Sequence, residues 1–485
     1  VRVKRALIPL AALVLFGWLS AGCVKLGPDF QRPAPTFAIP DTYRHAVTPE
    51  AIGSETDPWW YAFNDPDLNR VAEEVLENNL DVKKAGARIL ELSSRFVQVR
   101  GDRFPFLEVE GSAQRQRVAM SGVSGMIAFP EREQETYVLS FPVSFELDLW
   151  GRLARAEEAA RAELLEASET RKVIVQSVLA EAMNLYFLGR SLEQRISIAE
   201  ESIGNYRRSL DLVERRYQRG LSSIVDVRQA RRTLAQAESV APALRQELGI
   251  AQQQLAVLVG TYPETHPARD LSRTYSLRLA PVPAGVPSDL LLRRPDIRAA
   301  ENRLMARNAR VGEAKAARFP RIAMTGRFGY SSGELSALMK PESELWSLAL
   351  GVMQPLFDAG KRKAVQRAAE ARFQQELSEY AKTVLGAFSE VESALLSRKE
   401  QLERRERILV FVREARATQE AAESRYVRGL VNYLTVLEAQ QTRFQAEENL
   451  VLVDLALLAN RITLHRSLGG GWPEPVSPKG GDAAF

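Results

Sequence analysis

Several stretches of the chain alternate apolar and polar residues with a period of two. In one, Tyr137, Leu139, Phe141, Val143, Phe145, Leu147 and Leu149 are apolar, with Ser140, Ser144, Glu146 and Asp148 between them. Further along, Ile322, Met324, Phe328 and Tyr330 alternate with Arg321, Thr325 and Arg327, and Trp346, Leu348, Leu350, Val352 and Leu356 alternate with small residues. A weaker case sets Leu107, Val109 and Ala113 against Glu108, Glu110, Ser112 and Gln114. Such alternation predicts strands with one apolar and one polar face, here two hairpins over residues 104–150 and 319–357. Segments of about ten such residues have the length of a tilted strand crossing a bilayer. Any one of them, taken alone, is better read as part of a sheet laid on a soluble core.

The period changes to that of a helix beyond each hairpin. From Arg152 to about Tyr217 there is no proline, the glycines Gly189 and Gly204 are isolated, and Ile174, Val178, Leu185 and Leu188 recur at threes and fours. A helix of roughly 66 residues extends about 100 Å, which means coiled-coil-like packing or a helical tube, not a compact globule. A counterpart runs from Lys361 to about Tyr426, and returning helices are expected over 222–259 and 432–468, with Gly220 and Gly429 where the chain reverses.

These elements occur twice. Arg216-Tyr217-Gln218-Arg219-Gly220-Leu221 recurs 209 residues later as Arg425-Tyr426-Val427-Arg428-Gly429-Leu430, and Gly151 and Gly360 keep the same offset. Upstream, Phe104-Pro105 matches Phe319-Pro320 and Asp81-Val82 matches Asp296-Ile297, both 215 apart. Four landmarks in one order define a duplication: a first repeat over 66–280 with long helices at 152–259, and a second over 281–468 with long helices at 361–468. Pro281, Pro283 and Pro287 mark the linker between them. The fold expected is mainly α with a transmembrane β part. Four strands cannot close a barrel, and an open sheet cannot face lipid with unpaired edges. Either the strands pack on helices or several chains share one barrel; sharing is the reading favoured here.

Composition adds the compartment. Arg2, Lys4 and Arg5 precede the apolar stretch Ala6 to Leu19 and the small residues Ser20-Ala21-Gly22, the pattern of an export signal over residues 1–22. Without those three bases the chain has 62 basic against 61 acidic residues, so no basic face argues for nucleic acid. The single cysteine, Cys23, follows the signal at once and excludes an internal disulfide framework. Residues 23–65 are proline-rich at the start and read as an extended tether, and 469–485, with three successive glycines, as a disordered tail. His45, His266 and His465 are scattered and make a poor metal set; no HExxH, Walker loop or nucleophile elbow is present, so no enzymatic function is expected.

Leu19-Ser20-Ala21-Gly22-Cys23 resembles a bacterial lipobox, although the family pattern prefers Leu where Ser20 stands. Together with Gly27-Pro28-Asp29-Phe30, Arg32-Pro33, Trp59-Trp60, Phe63, Asp65, Leu68, Asn79-Leu80-Asp81-Val82 and Arg293-Arg294-Pro295-Asp296-Ile297, nearly the whole mature chain resembles a TolC-type outer-membrane efflux protein of the NodT or OprM-like lipoprotein branch. That resemblance implies a homotrimer in the outer membrane of a Gram-negative bacterium, with a twelve-stranded β-barrel and a periplasmic α-barrel of helical hairpins. It implies a diacylglycerol and an N-palmitoyl lipid on Cys23, with no other cofactor. The implied partners are a periplasmic adaptor, meeting the two Arg-Tyr-x-x-Gly-Leu hairpins, and an inner-membrane transporter, commonly of the proton-driven RND type. The chain would then be the passive exit duct of a tripartite efflux pump for drugs, solvents, dyes or metabolites.

Family members constrict the hairpin end with rings of acidic side chains. Thr435 and Glu438 match the two acidic places after the second hairpin, so Thr435 departs from the pattern and Glu438 is left as the ring; Asp226 holds the corresponding place after the first. Asp226 and Glu438 are equally well read as solvated or early-turn carboxylates. Tyr217 and Tyr426, with Arg216 and Arg425, read as packing residues that hold the end of the hairpins together. A periplasmic adaptor lipoprotein is the alternative, but it would carry small β-rich domains around one hairpin and no full-length duplication.

Overall fold

The computed structural model describes residues 25–34, 37–45, 58–118, 132–263, 287 and 290–470. The signal at 1–22, Cys23, residues 281–286 of the linker and residues 471–485 of the tail lie outside the described residues. The described part is mostly helical with one small sheet, as the patterning predicts. A short 3-10 turn, Trp59–Phe63, leads into helices α1 (Pro66–Asn78) and α2 (Leu80–Gly101). Strands β1 (Phe106–Leu107), β2 (Glu110–Val118) and β3 (Arg132–Leu147) come next, then the long helices α3 (Arg152–Gln218) and α4 (Ile224–Val259). The order then repeats with α5 (Leu290–Arg293), α6 (Pro295–Ala316), β4 (Arg321–Ser332), β5 (Glu344–Met353), α7 (Lys361–Val427) and α8 (Tyr433–Ser467). Contacts group the described residues into two compact units. One draws on the described residues within 1–34, 88–167 and 299–380, the other on those within 35–87, 168–298 and 381–485.

The first unit holds the sheet, antiparallel in the order β1 and β2, then β3, β4 and β5. β1 and β2 share one register against β3, with Leu107 opposite Val143 and Glu110 opposite Ser140. They are a single edge strand interrupted at its partner: the Glu108 N–H donates to the Pro142 carbonyl at 3.0 Å, but Pro142 has no N–H to return. The four strands expected therefore stand, the first broken by a proline in its neighbour. Gly329 lies opposite Ser140, and a Cβ there would come within 2.2 Å of the Leu139 carbonyl oxygen, so only glycine fits this crossing.

The N-terminal stretch read as a tether is extended but fastened. Arg155, only 1% exposed, donates to the carbonyls of Leu26 and Gly27 at 3.1 Å each and to Asp29 at 2.9 Å. Gly27, at φ 95°, lies where a Cβ would meet the Gly312 Cα at 2.6 Å. Arg32 closes the segment with a two-pronged ion pair to Glu301 at 2.6 and 2.7 Å.

The second unit holds the greater part of the helical hairpins and the buried cluster around Trp59, Trp60 and Phe63. Asp65 caps α1 through the Asp67 and Leu68 N–H groups, Pro66 occupies the first helical position, and Leu68, Val71, Ala72 and Val75 form the buried stripe. The two repeats are closed by one device made from different residues. Asn79 donates to the Leu258 carbonyl at 2.8 Å, and Arg294, 215 positions later, donates to the Ser467 carbonyl at 2.9 Å. Leu258 and Ser467 are themselves 209 apart. Beside each contact a glycine at positive φ, Gly260 or Gly469, ends the returning helix against the backbone of Asn78 or Arg293.

Candidate functional site

Two surfaces bear on function, one in each unit: the sheet and the ends of the helical hairpins. Register places Leu107, Val143, Gly326 and Leu348 in one row across the sheet, and Phe141, Phe328 and Trp346 in another. These rows belong to one face, on which Trp346, Leu348, Leu350 and Val352 are 65% to 76% exposed. The other face is polar. Arg327 reaches Ser140 at 3.0 Å and Glu110 at 2.5 Å, and Glu146 takes Arg152 at 2.8 Å and Arg321 at 2.6 Å. In the single chain both edge strands, β2 and β5, have one side without a partner strand among the described residues. Such a sheet, apolar on one face and open at both edges, is unstable in water and forbidden in lipid until its edges are paired.

At the end of the first hairpin, α3 closes in a paired-hydrogen-bond turn. The Leu221 N–H bonds the Arg216 carbonyl at 2.8 Å and the Gly220 N–H bonds the Tyr217 carbonyl at 2.9 Å, with Gly220 at φ 72°. The second hairpin repeats it through Leu430, Arg425, Gly429 and Tyr426. The repeated motif is thus a helix stop whose glycine must be left-handed. After each stop a capping residue starts the returning helix: Ser223, reciprocally bonded to Asp226 at 3.0 and 3.2 Å, and Asn432, bonded by Thr435 through its N–H at 3.1 Å and its hydroxyl at 2.9 Å.

Asp226 and Thr435 therefore occupy one structural position and serve their caps. Glu438 is exposed one turn further on and has no ion pair among the described residues. Of the four arginine and tyrosine positions, the fold joins two. The Arg216 guanidinium lies 4.8 Å from the Tyr426 ring centroid, and its Nη1 donates to the Tyr426 and Val427 carbonyls at 3.4 and 3.5 Å. The Tyr426 hydroxyl is 3.2 Å from that of Ser222, and its ring packs on Tyr433 at 5.9 Å. Burial pushes the Tyr433 phenol well above the ordinary tyrosine range. Tyr217 and Arg425 are exposed.

Sequence reading missed Arg155 and its hold on the N-terminal stretch. A signal existed: Arg155 falls on the same helix stripe as Ala159 and Ala162, both at most 1% exposed, where a charge must find partners.

An apolar sheet with open edges, carried with long duplicated helical hairpins, defines a subunit of a membrane channel. The model of the outer membrane efflux protein family matches residues 71–261 and 286–470. The cation efflux system protein CusC of Escherichia coli O6:H1 is 31% identical over 459 residues, 93% of this chain and 96% of that protein. The solvent efflux pump outer membrane protein SrpC of Pseudomonas putida is 32% identical, over 96% and 98% of the two chains. Among solved structures, the outer-membrane channel OprN superposes with a TM-score of 0.87 at 30% identity, covering 93% of this chain and all of that one. The chain belongs to the outer membrane efflux protein family. It is an outer-membrane channel component of an efflux system, not an adaptor.

Proposed function

We propose that three copies of this chain close a twelve-stranded barrel and act as the passive exit duct of a tripartite pump. The observation that carries the reading is the sheet, whose two open edges and continuous apolar face call for pairing with further copies in lipid. The polar face, with its Arg327 and Glu146 ion pairs, then lines the water-filled lumen. A periplasmic adaptor meets the Gly220 and Gly429 hairpin ends, and an inner-membrane transporter, of the RND type, supplies the energy. Glu438, exposed and without an ion pair among the described residues, converges on the axis as the acidic ring of the gate. Relatives at near-equal identity are named for cations and for solvents, which supports assigning the choice of cargo to the transporter.

Cys23 carries the lipid, two residues before Lys25, whose ammonium is paired with Glu158 at 3.0 Å. With Arg155 holding the following residues, the lipid assists targeting and assembly more than conduction. The reading is tested by the mass of the detergent-solubilised particle, corrected for bound detergent. Three chains are expected, and a monomer would remove it. In the same preparation Cys23→Ser should abolish palmitate labelling; retained label would place the lipid elsewhere.

A further inference from the structure

The apolar face of the sheet ends, away from the helices, at a charged edge. Positions on that face stay uncharged along each strand and then turn polar: on β5 at Glu344, opposite Tyr330; on β4 at Ser332, opposite Tyr137; on β3 at Glu135, opposite Arg115. The edge thus climbs by two residues at each strand from β5 to β3. Strands tilted in a membrane require such a staircase, because a row of paired residues is then not level. At a tilt of about 40° and a strand spacing of about 4.8 Å, level positions shift by about 4 Å per strand. Only every second residue shows on one face, so the shift appears in steps of two.

The height of the band fits as well. Leu147 to Tyr137 spans about 33 Å along β3, hence about 25 Å across a membrane, the height of the apolar belt of a membrane barrel. β3 runs on into α3 from its Leu147 end, so the charged edge lies at the opposite, outer leaflet. Above Tyr137 on the same face come Arg115 and, about 7 Å further along β2, Arg117, facing Glu135 and Glu133 across the pairing. The Arg115 side chain is 68% exposed and reaches Glu133 at 2.5 Å and Glu135 at 3.5 Å; Glu135 also accepts the Tyr137 hydroxyl at 3.2 Å. Charges that point outward at this height meet lipid head groups. Exposed ion pairs are worth about 0–1 kcal/mol, so the carboxylates orient Arg115 without saturating it, and a guanidinium fork matches phosphate oxygens.

Resting on the reading above that the apolar face meets lipid, we propose that Arg115 and Arg117 form a seat for a phosphorylated glycolipid of the outer leaflet. The two guanidiniums take the phosphate oxygens. Glu133 and Glu135 accept hydrogen bonds from the sugar hydroxyls beside them, which is why a rung of mixed sign suits this ligand better than a purely basic one. Tyr137 and Tyr330 lie one step below, where the sugars give way to acyl chains, and the rows of Leu139 and Phe141 carry the chains themselves.

The test adds lipid A bearing two phosphates, or the same lipid stripped of phosphate, to the detergent-solubilised particle and counts bound lipid by native mass spectrometry. The parent should retain the phosphorylated lipid at least about fivefold better. Arg115→Gln with Arg117→Gln should bring the ratio to within about twofold of unity at unchanged particle mass, and Arg115→Lys with Arg117→Lys, which keeps the charges and gives up the fork, should fall between. Equal retention of the two lipids by the parent, or an unchanged ratio in the glutamine pair, overturns the seat. Photo-reactive p-benzoylphenylalanine gives a check that does not depend on removing charge. In place of Ala113, on the outward face beside Arg115, it should form an adduct with lipid A; in place of Gln114, on the opposite face, it should not. The same probe at Leu348, within the apolar rows, should link to acyl chains of any lipid. Links at Leu348 with none at Ala113 overturn the seat alone, and no lipid adduct at Leu348 overturns the lipid-facing reading beneath it.

Discussion

Helices α3 and α4 match α7 and α8 position for position, and two cross-helix pairs occur in both hairpins. Arg207 and Glu238 meet at 2.7 Å, as do their counterparts Arg416 and Glu447; Arg231 reaches Glu214 at 2.6 Å where Gln440 reaches Glu423 at 2.9 Å. The surroundings of these pairs differ. Glu238 is 44% exposed, whereas the side chain of Glu447 is 7% exposed and takes a second guanidinium, Arg443, at 3.0 Å. Arg443 in turn reaches Glu201 and Gln419. One backbone thus serves as a first hairpin with solvated pairs and as a second hairpin with a largely buried polar network against α3. The pairs set the register of each hairpin; what they contribute beyond that depends on the neighbour that covers them.

The largest expected effect separates Tyr433 from Ile224. Truncating the buried Tyr433 to alanine should cost about 3–5 kcal/mol of subunit stability, read as a fall in the urea midpoint. Tyr433→Phe should cost almost nothing, because the hydroxyl has no hydrogen-bond partner among the described residues. Ile224→Ala, at a side chain 48% exposed, should cost at most about 1 kcal/mol by the same measurement. Equal losses of subunit stability at the two positions would erase the distinction between the hairpins.

Next come the paired glutamates. Glu447→Gln leaves Arg416 and Arg443 short of a carboxylate and should destabilise by about 1–3 kcal/mol. Glu238→Gln, in a solvated pair, should stay within about 0.5 kcal/mol. Both are measured by denaturant titration, and a Glu238 effect as large as that of Glu447 would mean that the first hairpin is covered within the chain.

The last comparison, smaller in stability than the loss at Glu447 and the most telling for conduction, sets Asp226 against Glu438. Asp226→Ala removes a capping box and should cost about 1 kcal/mol without altering single-channel ion selectivity. Glu438→Ala should lower cation preference in planar bilayers with little change in stability. Reversed results would move the acidic ring to the first hairpin.

Much of this arrangement is legible in the sequence because it is periodic. The alternation from Tyr137 to Leu149 and from Trp346 to Val352 has the period of a strand, and the recurring Arg-Tyr-x-x-Gly-Leu motif fixes where each hairpin reverses. What could not be read is whatever depends on which neighbour is present. Tyr217 and Tyr426 lie in the same motif, and only packing decides that one is exposed and the other buried. The closing contact of Asn79 and Arg294 hides because an amide and a guanidinium do one task with different side chains. The hold of Arg155 on Leu26, Gly27 and Asp29 joins residues more than 120 positions apart, beyond any local pattern.

The equal length of α3 and α7, 67 residues each, acts as a gauge. Adding one residue to a helix advances its far end by about 1.5 Å and turns it by about 100°. An insertion in one copy alone would lift Arg216 away from Tyr426 and rotate every following side chain out of its seam. Lengthening the duct therefore requires the same insertion in α3, α4, α7 and α8 together, in steps that return each face to its own direction. A family of such ducts can vary its reach in coordinated increments, and single-residue changes in one helix are the ones it should tolerate least.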